Sequence, residues 1–168
     1  LANIEVPDVT LELSDKWLTA VGGGANGGLY GYENKSATRG MSAESMFCRQ
    51  IMGVPPTDPR MAETADYLRV QLPTAGQEDY YYWYYGTLAM YQHRGAAWEA
   101  WNEKLKAVLP AMQATSGDDS GSFPPVGAHG AAMGRVVSTA LSTLSLEVYY
   151  RYLPFAFTKG GAEVEKTP

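Results

Sequence analysis

The sequence predicts an all-α fold made of three helical hairpins, and three observations lead to that prediction. Apolar residues recur at helical spacing in six segments, and Gly-rich or Pro-containing stretches separate those segments. The segments follow one another as helix, loop and helix, and the stretches aligned at Ser42, Gly86 and Ser138 resemble one another, as helical-pair repeats do. Only the first segment also alternates as a strand would.

Capping and helix-breaking residues set the limits of the six predicted helices. Asp8 follows Pro7 at the start of the first helix, and the Gly run from Gly22 stops it. Ser42 is the expected cap of the second helix, and Pro110 is expected to kink or shorten the fifth. The predicted helices cover residues 8–21, 43–52, 58–71, 79–93, 96–113 and 135–153, with Gly-rich loops at 22–40 and 114–133.

Length and composition favour one globular domain. The chain has 168 residues and 45% hydrophobic content, which is enough for a single sizeable core. We expect a helical-repeat domain over residues 1–157, with repeats at about 8–53, 57–95 and 96–154, and a disordered tail at 158–168. The start LANIEV has neither an initiator Met nor a basic region before an apolar core, so we expect an internal or C-terminal piece of a longer protein.

Charge and cysteine content argue against several partners and sites. Eighteen acidic and thirteen basic residues give a net charge of -5, and the basic residues are scattered, so nucleic acid is not an expected partner. The single Cys48 excludes an internal disulfide and a multi-Cys metal site, and it leaves the compartment open. Because no apolar run approaches the roughly 20 residues that span a bilayer, we expect no membrane span in this chain.

Burial patterns predict that the second helix of each hairpin belongs to an inner layer. Helix 79–93 has rings on every face, and helix 135–153 has small residues beside an apolar stripe and little charge. We expect both helices to be buried nearly all round. The fifth helix, in contrast, carries charges opposite its Trp stripe and is expected to face water. The small residues of helix 135–153 are Ser138, Ser142 and Ser145, and its apolar stripe is Val137, Leu141, Leu144 and Val148.

A family resemblance follows from one motif and four longer stretches. Leu109, Gln113, Gly121 and Phe123 resemble a degenerate form of the L-x-x-x-Q-then-G-x-W repeat of the terpenoid cyclase and protein prenyltransferase α/α toroids, the squalene-cyclase-like proteins. GLYGY at 28, FCRQIMG at 47, YYWYYGTLAM at 81 and RVVSTALSTLSLEVYYRYLP at 135 are similar to bacterial proteins of unassigned function with prenyltransferase and squalene-oxidase type repeats. The resemblance implies a toroid of inner and outer helices, of which three hairpins form a partial ring.

The aromatic run DYYYWYYGTLAM raises the question of what covers its rings. A chain cannot leave so many adjacent rings in water, so they pack between helices or line a cavity. In the toroid that the resemblance implies, the candidate cavity-lining residues are Tyr81, Trp83, Tyr84 and Tyr85. We expect most of these rings to be structural packing.

Several motifs have an ordinary structural interpretation that we favour over a chemical one. GGGANG at 22–27 formally matches a dinucleotide motif but lacks the preceding strand and following helix, so no cofactor is expected. Asp118 and Asp119, the candidate loop acids, are expected to be solvated, with weak cation binding as the alternative. Cys48 is expected to be a buried thiol and not a metal ligand, together with two ordinary histidines, His93 and His129.

Charges within the buried helices are expected to be paired, as buried charges generally are. For Glu147 and Arg151, which are one helical turn apart, the expected arrangement is an internal ion pair. The alternative is that these charges anchor a ligand in a cavity.

These observations predict a binding or assembly module more than an enzyme. The expected architecture is present, while the acid motif and the zinc ligands of the resembled enzymes are missing from this chain. The expected partners are a second copy, the remainder of the parent chain or an apolar ligand. Two alternatives remain open: a fragment of an isoprenoid-handling, terpene cyclase-like enzyme, or a carbohydrate-active toroid.

Overall fold

The structure, a computed structural model, describes residues 5–151, and these residues form an all-α fold, as predicted. One small exception is an antiparallel pair of two-residue strands in the Gly-rich segment, where Gly22 pairs with Tyr30. The elements are α1 (Asp8–Val21), β1 (Gly22–Gly23), β2 (Leu29–Tyr30), α2 (Arg39–Ile51), α3 (Pro59–Arg69), α4 (Tyr80–His93), α5 (Gly95–Val108), a 3-10 turn (Pro110–Met112), α6 (Gly127–Leu146) and α7 (Val148–Arg151).

Local chemistry explains where the helices begin and end. Asp58 and Asp79 cap α3 and α4 through their carboxylates. Pro110 ends α5 with a 3-10 turn, as the sequence suggested. The cap of α2 is Thr38 and not Ser42, because the Thr38 hydroxyl accepts from the Met41 N–H. The predicted start of α6 at Arg135 was also wrong, since a helical segment precedes it and joins it at Gly134 with φ of 76°.

The described helices lie in two layers with α4 at the centre. Helices α2 and α6 pack on either side of α4 and form one layer with it, while α3 and α5 contact each other and cover the other side. The largest fully buried side chains include Trp83, Trp101, Tyr82 and Phe123. The all-α class is therefore confirmed in the described part of the chain, and the assignment of these helices to the inner and outer layers of a toroid stays a prediction.

Helix α6 is only half covered, so the expectation that it is buried nearly all round was wrong. Its three serines, Ser138, Ser142 and Ser145, are buried on the side that packs against α4, where small residues allow close approach. On the opposite face Val136 is 83% exposed. The described residues include a neighbour for one face of α6 and leave the other in solvent.

Helix α1 is attached to the rest of the fold near its C-terminal end. Leu18 and Val21 form a small separate core with Tyr30. The buried Arg49 of α2 donates to Asp15, Thr19 and Tyr30, so one guanidinium connects α1, β2 and α2. The rest of α1 is exposed, including several of its apolar side chains.

Two predictions concern parts of the chain that the structure does not describe. The expected tail, 158–168, lies outside the described residues, and so does the Arg151 side chain that was expected to pair with Glu147. Among the described residues, none of the helices is both long enough and apolar enough to cross a bilayer.

Candidate functional site

The aromatic run divides between the core and one half-buried face of α4. Trp83 is buried and meets the Tyr80 ring edge-on, with 5.7 Å between ring centroids. Tyr81, Tyr84 and Tyr85 are half buried, and their rings form a chain with centroid separations of 4.9 and 5.0 Å. The four candidate cavity-lining residues therefore do not share one environment, because Trp83 packs inside while the three tyrosines lie on the face of α4 that is partly open.

Two open clefts of about 500 Å³ each border α2. The apolar groove lies between α1 and α2 and is lined mainly by apolar side chains, among them Leu13, Trp17, Val21 and Met41. The polar cleft lies where the first turns of α2, α4 and α6 meet, and its lining includes Tyr32, Arg39, Asp79, Tyr81, His129 and Met133. Because Met41 lines both clefts, they are adjacent.

A buried carboxylate organises the polar cleft. Asp79 is only 7% exposed, and as the cap of α4 its Oδ1 accepts from the Tyr82 N–H at 3.1 Å. His129 Nδ1 lies 3.3 Å from the same oxygen, and Arg39 Nη2 donates to Oδ2 at 3.3 Å. Asp79 thus fixes two basic side chains from α2 and α6 at one place, as supporting hydrogen bonds generally orient functional groups.

Tyr81 lies beside this cluster and acts as a hydrogen-bond donor. Its hydroxyl donates to Glu44 Oε2 at 2.9 Å, and its ring lies 5.7 Å from the His129 ring. Burial is the main cause that raises the pKa of the Tyr81 phenol, and the hydrogen bond with Glu44 adds to it. The phenol therefore stays protonated at neutral pH and does not supply a base.

Cys48 lines the apolar groove and is exposed, so the expectation of a buried thiol was wrong. The reason is helical geometry. Met41 lies one turn before Glu44 and Ser45, and Cys48 lies one turn after them, so all four residues are on the groove side of α2. The adjacent Arg49 belongs to the buried side. Partial burial still raises the pKa of the Cys48 thiol, and Glu44 contributes in the same direction.

The predicted loop acids lie away from both clefts. Asp118 and Asp119 are exposed in the loop before α6, and Asp119 pairs with Arg135 at 2.8 Å. The loop is closed by the Gln113 side chain, whose Nε2 donates to the Gly121 carbonyl at 2.8 Å. Neither acid lines the polar cleft or the apolar groove.

The Gly-rich segment binds a carboxylate of its own chain. Glu63 of α3 accepts from the backbone N–H groups of Ala25, Asn26 and Gly28 at 2.6, 3.0 and 2.8 Å. Successive backbone N–H groups of this kind form a concave anion site. Here Glu63 fills it, which gives the GGGANG motif a structural role.

The second histidine, His93, lies at the end of α4. Desolvation lowers the pKa of its imidazole. Within residues 5–151, no group of three or more His, Cys, Asp or Glu side chains is placed to hold a metal ion.

The main site residues that sequence reasoning missed are Arg39 and Asp79, and His129 was taken as ordinary. Asp79 directly precedes a strongly helical aromatic run, which is the pattern of a capping residue. That pattern could have identified its position, but not its neighbours. Arg39 and His129 come from helical turns that lie inside the two predicted loops.

Comparison with known proteins adds no identification. No family model, curated protein or solved structure matches the chain. The resemblance to squalene-cyclase-like toroids therefore stays a prediction, and the arguments about function that follow rest on the geometry of the two clefts.

Proposed function

We propose that this chain is a non-catalytic binding or assembly module, part of a longer squalene-cyclase-like protein, that holds an apolar ligand segment in the apolar groove. The observation that carries the proposal is the groove itself, which is open, apolar and about 500 Å³ in volume. Concave apolar surface next to a few polar groups is typical of ligand sites. Exposed Leu13 and Trp17 line the groove, and apolar side chains left in solvent in this way often mark binding surfaces.

Two local features support the toroid part of the proposal. Leu109 and Phe123 of the repeat motif are both buried, and Gln113 bonds to Gly121 within the same motif. The motif residues therefore act together as one local unit. The alternation of α5, which has an exposed charged face, with the mostly buried α4 also agrees with a two-layer ring.

The position of the rings favours a binding module over the isoprenoid-handling alternative. That alternative requires Tyr81, Trp83 and Tyr84 to face one dry cavity, whereas Trp83 lies in the core and Tyr81 borders an open cleft. The carbohydrate-active alternative requires two acids at an aromatic cleft. Asp118 and Asp119 are exposed on a loop that borders neither cleft.

The exposed face of α6 supports the assembly part of the proposal. A partial ring leaves apolar surface at its ends, and this surface would pack against the remainder of the parent chain or a second copy. Sedimentation of the chain over a range of concentrations tests self-association. A monomer that binds no apolar dye would count against both parts of the proposal.

The groove is tested with decanol and an apolar fluorescent dye. We expect the dye to bind saturably and decanol to displace it. In a Leu13→Gln/Trp17→Gln double variant, we expect both the dye and decanol to lose their binding. Val136→Gln is the matched control because Val136 is exposed on α6, on a helix that does not line the groove. Absence of saturable binding, or equal loss in the control, would contradict the proposed site.

A further inference from the structure

The two clefts meet at Met41 and differ in the charged side chains that line them. The apolar groove offers Leu13, Trp17 and Val21, whereas the polar cleft offers hydrogen-bond donors around Asp79. A ligand that crosses Met41 would therefore have an apolar part in the groove and a polar end in the cleft. The charges of the cleft decide which kind of polar end that is.

Asp79 occupies one part of the Arg39 guanidinium and leaves the rest to a ligand. Its carboxylate accepts from one nitrogen of Arg39 and balances its charge, and the guanidinium has further N–H groups. These remaining N–H groups, on the side of the cleft that His129 also lines, suit one carboxylate.

The side chains of Arg39 and His129 are held in place before a ligand arrives. The Arg39 guanidinium lies over the Tyr82 ring, 4.9 Å from its centroid, and has one nitrogen on Asp79. Its side chain remains 31% exposed, and that of His129 remains 51% exposed, at the lining of the cleft. Donors fixed in advance lose little conformational entropy on binding, and a planar guanidinium matches a carboxylate in shape.

Other head groups fit less well. Glu44 lines the groove and accepts from the hydroxyl of Tyr81, which lines the polar cleft, so a doubly charged head group would be repelled by this acid more strongly than a carboxylate. A cationic head group would face Arg39. Like charges placed together reject the wrong ligand.

We infer that the ligand of the apolar groove is a long-chain carboxylic acid whose carboxylate binds between Arg39 and His129 in the polar cleft. This inference rests on the proposed function, because it uses the groove as the site for the apolar chain. Met41 connects the two parts of the site.

The experiment compares four ligands that share one alkyl chain and differ in head group: decanoate, decanol, decyl phosphate and decyltrimethylammonium. Dissociation constants are measured by calorimetry below the micelle concentrations, on the whole chain. We expect decanoate to bind tightest. Arg39→Gln should raise the dissociation constant of decanoate by about ten- to hundredfold, because it removes a charge-assisted hydrogen bond. The dissociation constant of decanol should not change.

Decanol binding reports whether each variant keeps its fold and its groove. His129→Gln offers a second route to the same result, because His129 is half exposed and glutamine removes the imidazole and keeps a hydrogen-bonding group. We expect His129→Gln to reduce the difference between the dissociation constants of decanoate and decanol. The Leu13→Gln/Trp17→Gln variant should weaken the binding of decanoate and of decanol by the same factor.

The outcomes separate the two proposals. Equal affinities for decanoate and decanol, or tighter binding of the phosphate or the ammonium compound, would overturn the carboxylate inference and leave the groove as a binding site. If no probe binds, the proposed function fails as well. An Arg39→Gln variant that loses both decanol and decanoate would also overturn the assignment of Arg39 to the head group.

Discussion

Helices α4 and α1 have the same length and are both rich in apolar residues, yet they are held in opposite ways. Helix α4 lies between α2 and α6 and is covered by α5, so residues on every face are buried. In α1 only Leu18 and Val21 are buried, and its main polar link is the bond between Asp15 and the buried Arg49.

The difference shows that apolar side chains stabilise a helix only where neighbours cover them. Burial removes apolar area from water and stabilises the fold by roughly 25 cal/mol per Å². Helix α4 gains this term over most of its surface. Helix α1 gains it only near its C-terminal end, and exposed apolar side chains in the rest of the helix line the groove. The stable core and the candidate binding surface are thus separate parts of the molecule.

The largest expected effect comes from removing a ring that covers α4. Trp101 is fully buried, donates to the Thr87 hydroxyl at 3.0 Å and meets the Tyr82 ring edge-on. Its ring occupies the space next to Gly86, where an added Cβ would lie 2.3 Å from a ring carbon. We expect Trp101→Ala to lower the free energy of unfolding by about 3–5 kcal/mol, measured by denaturant titration.

The control for Trp101→Ala is an exposed side chain of the same helix. Lys104 is exposed, so Lys104→Ala should change the free energy of unfolding by less than about 0.5 kcal/mol. Similar losses in the two variants would mean that α5 does not cover α4 as described.

A smaller and local effect is expected where α1 is attached. Asp15→Ala removes the partner of the buried Arg49 and should cost about 2 kcal/mol, as for other hydrogen bonds to charged groups. Because the bond joins α1 to α2, amide hydrogen exchange should speed up in α1 and stay slow in α4. Glu12→Ala, on the exposed side of α1, is the control. Faster exchange in both helices would show that α1 and α4 unfold together.

The Gly-rich segment gives a third prediction, since it too is held by one polar side chain. Glu63→Ala leaves three backbone N–H groups without their carboxylate and should cost about 1 kcal/mol, because water reaches this partly exposed loop. Added acetate should restore part of the lost stability in a thermal melt and have no such effect on the Glu63→Gln variant. No gain from acetate would argue against an anion site formed by the backbone.

Sequence reasoning predicted local features of the fold and missed contacts between distant segments. The helical periodicity of α4 and α5 and the starts of α3 and α4 near Asp58 and Asp79 are local, so they could be predicted directly. The burial of α6 depends on which of its faces have neighbours. Its small residues form the same pattern in the sequence whether one face is covered or all of them are. The polar cleft joins positions 39, 79 and 129, and no spacing in the sequence brings these together.

The smallest expected effect is on the exposed part of α1, and it sharpens the comparison with α4. Leu13 is 60% exposed, and glutamine is about as good a helix former as leucine, so Leu13→Gln should change the free energy of unfolding by less than about 0.5 kcal/mol. Denaturant titrations of Leu13→Gln and Trp101→Ala, made side by side, measure the smallest and the largest expected change in the free energy of unfolding. If Leu13→Gln costs as much as a core substitution, α1 is covered in solution, and a second copy or another part of the chain occupies the groove. If it costs nothing, the apolar side chains of α1 are not needed for stability and remain available for binding.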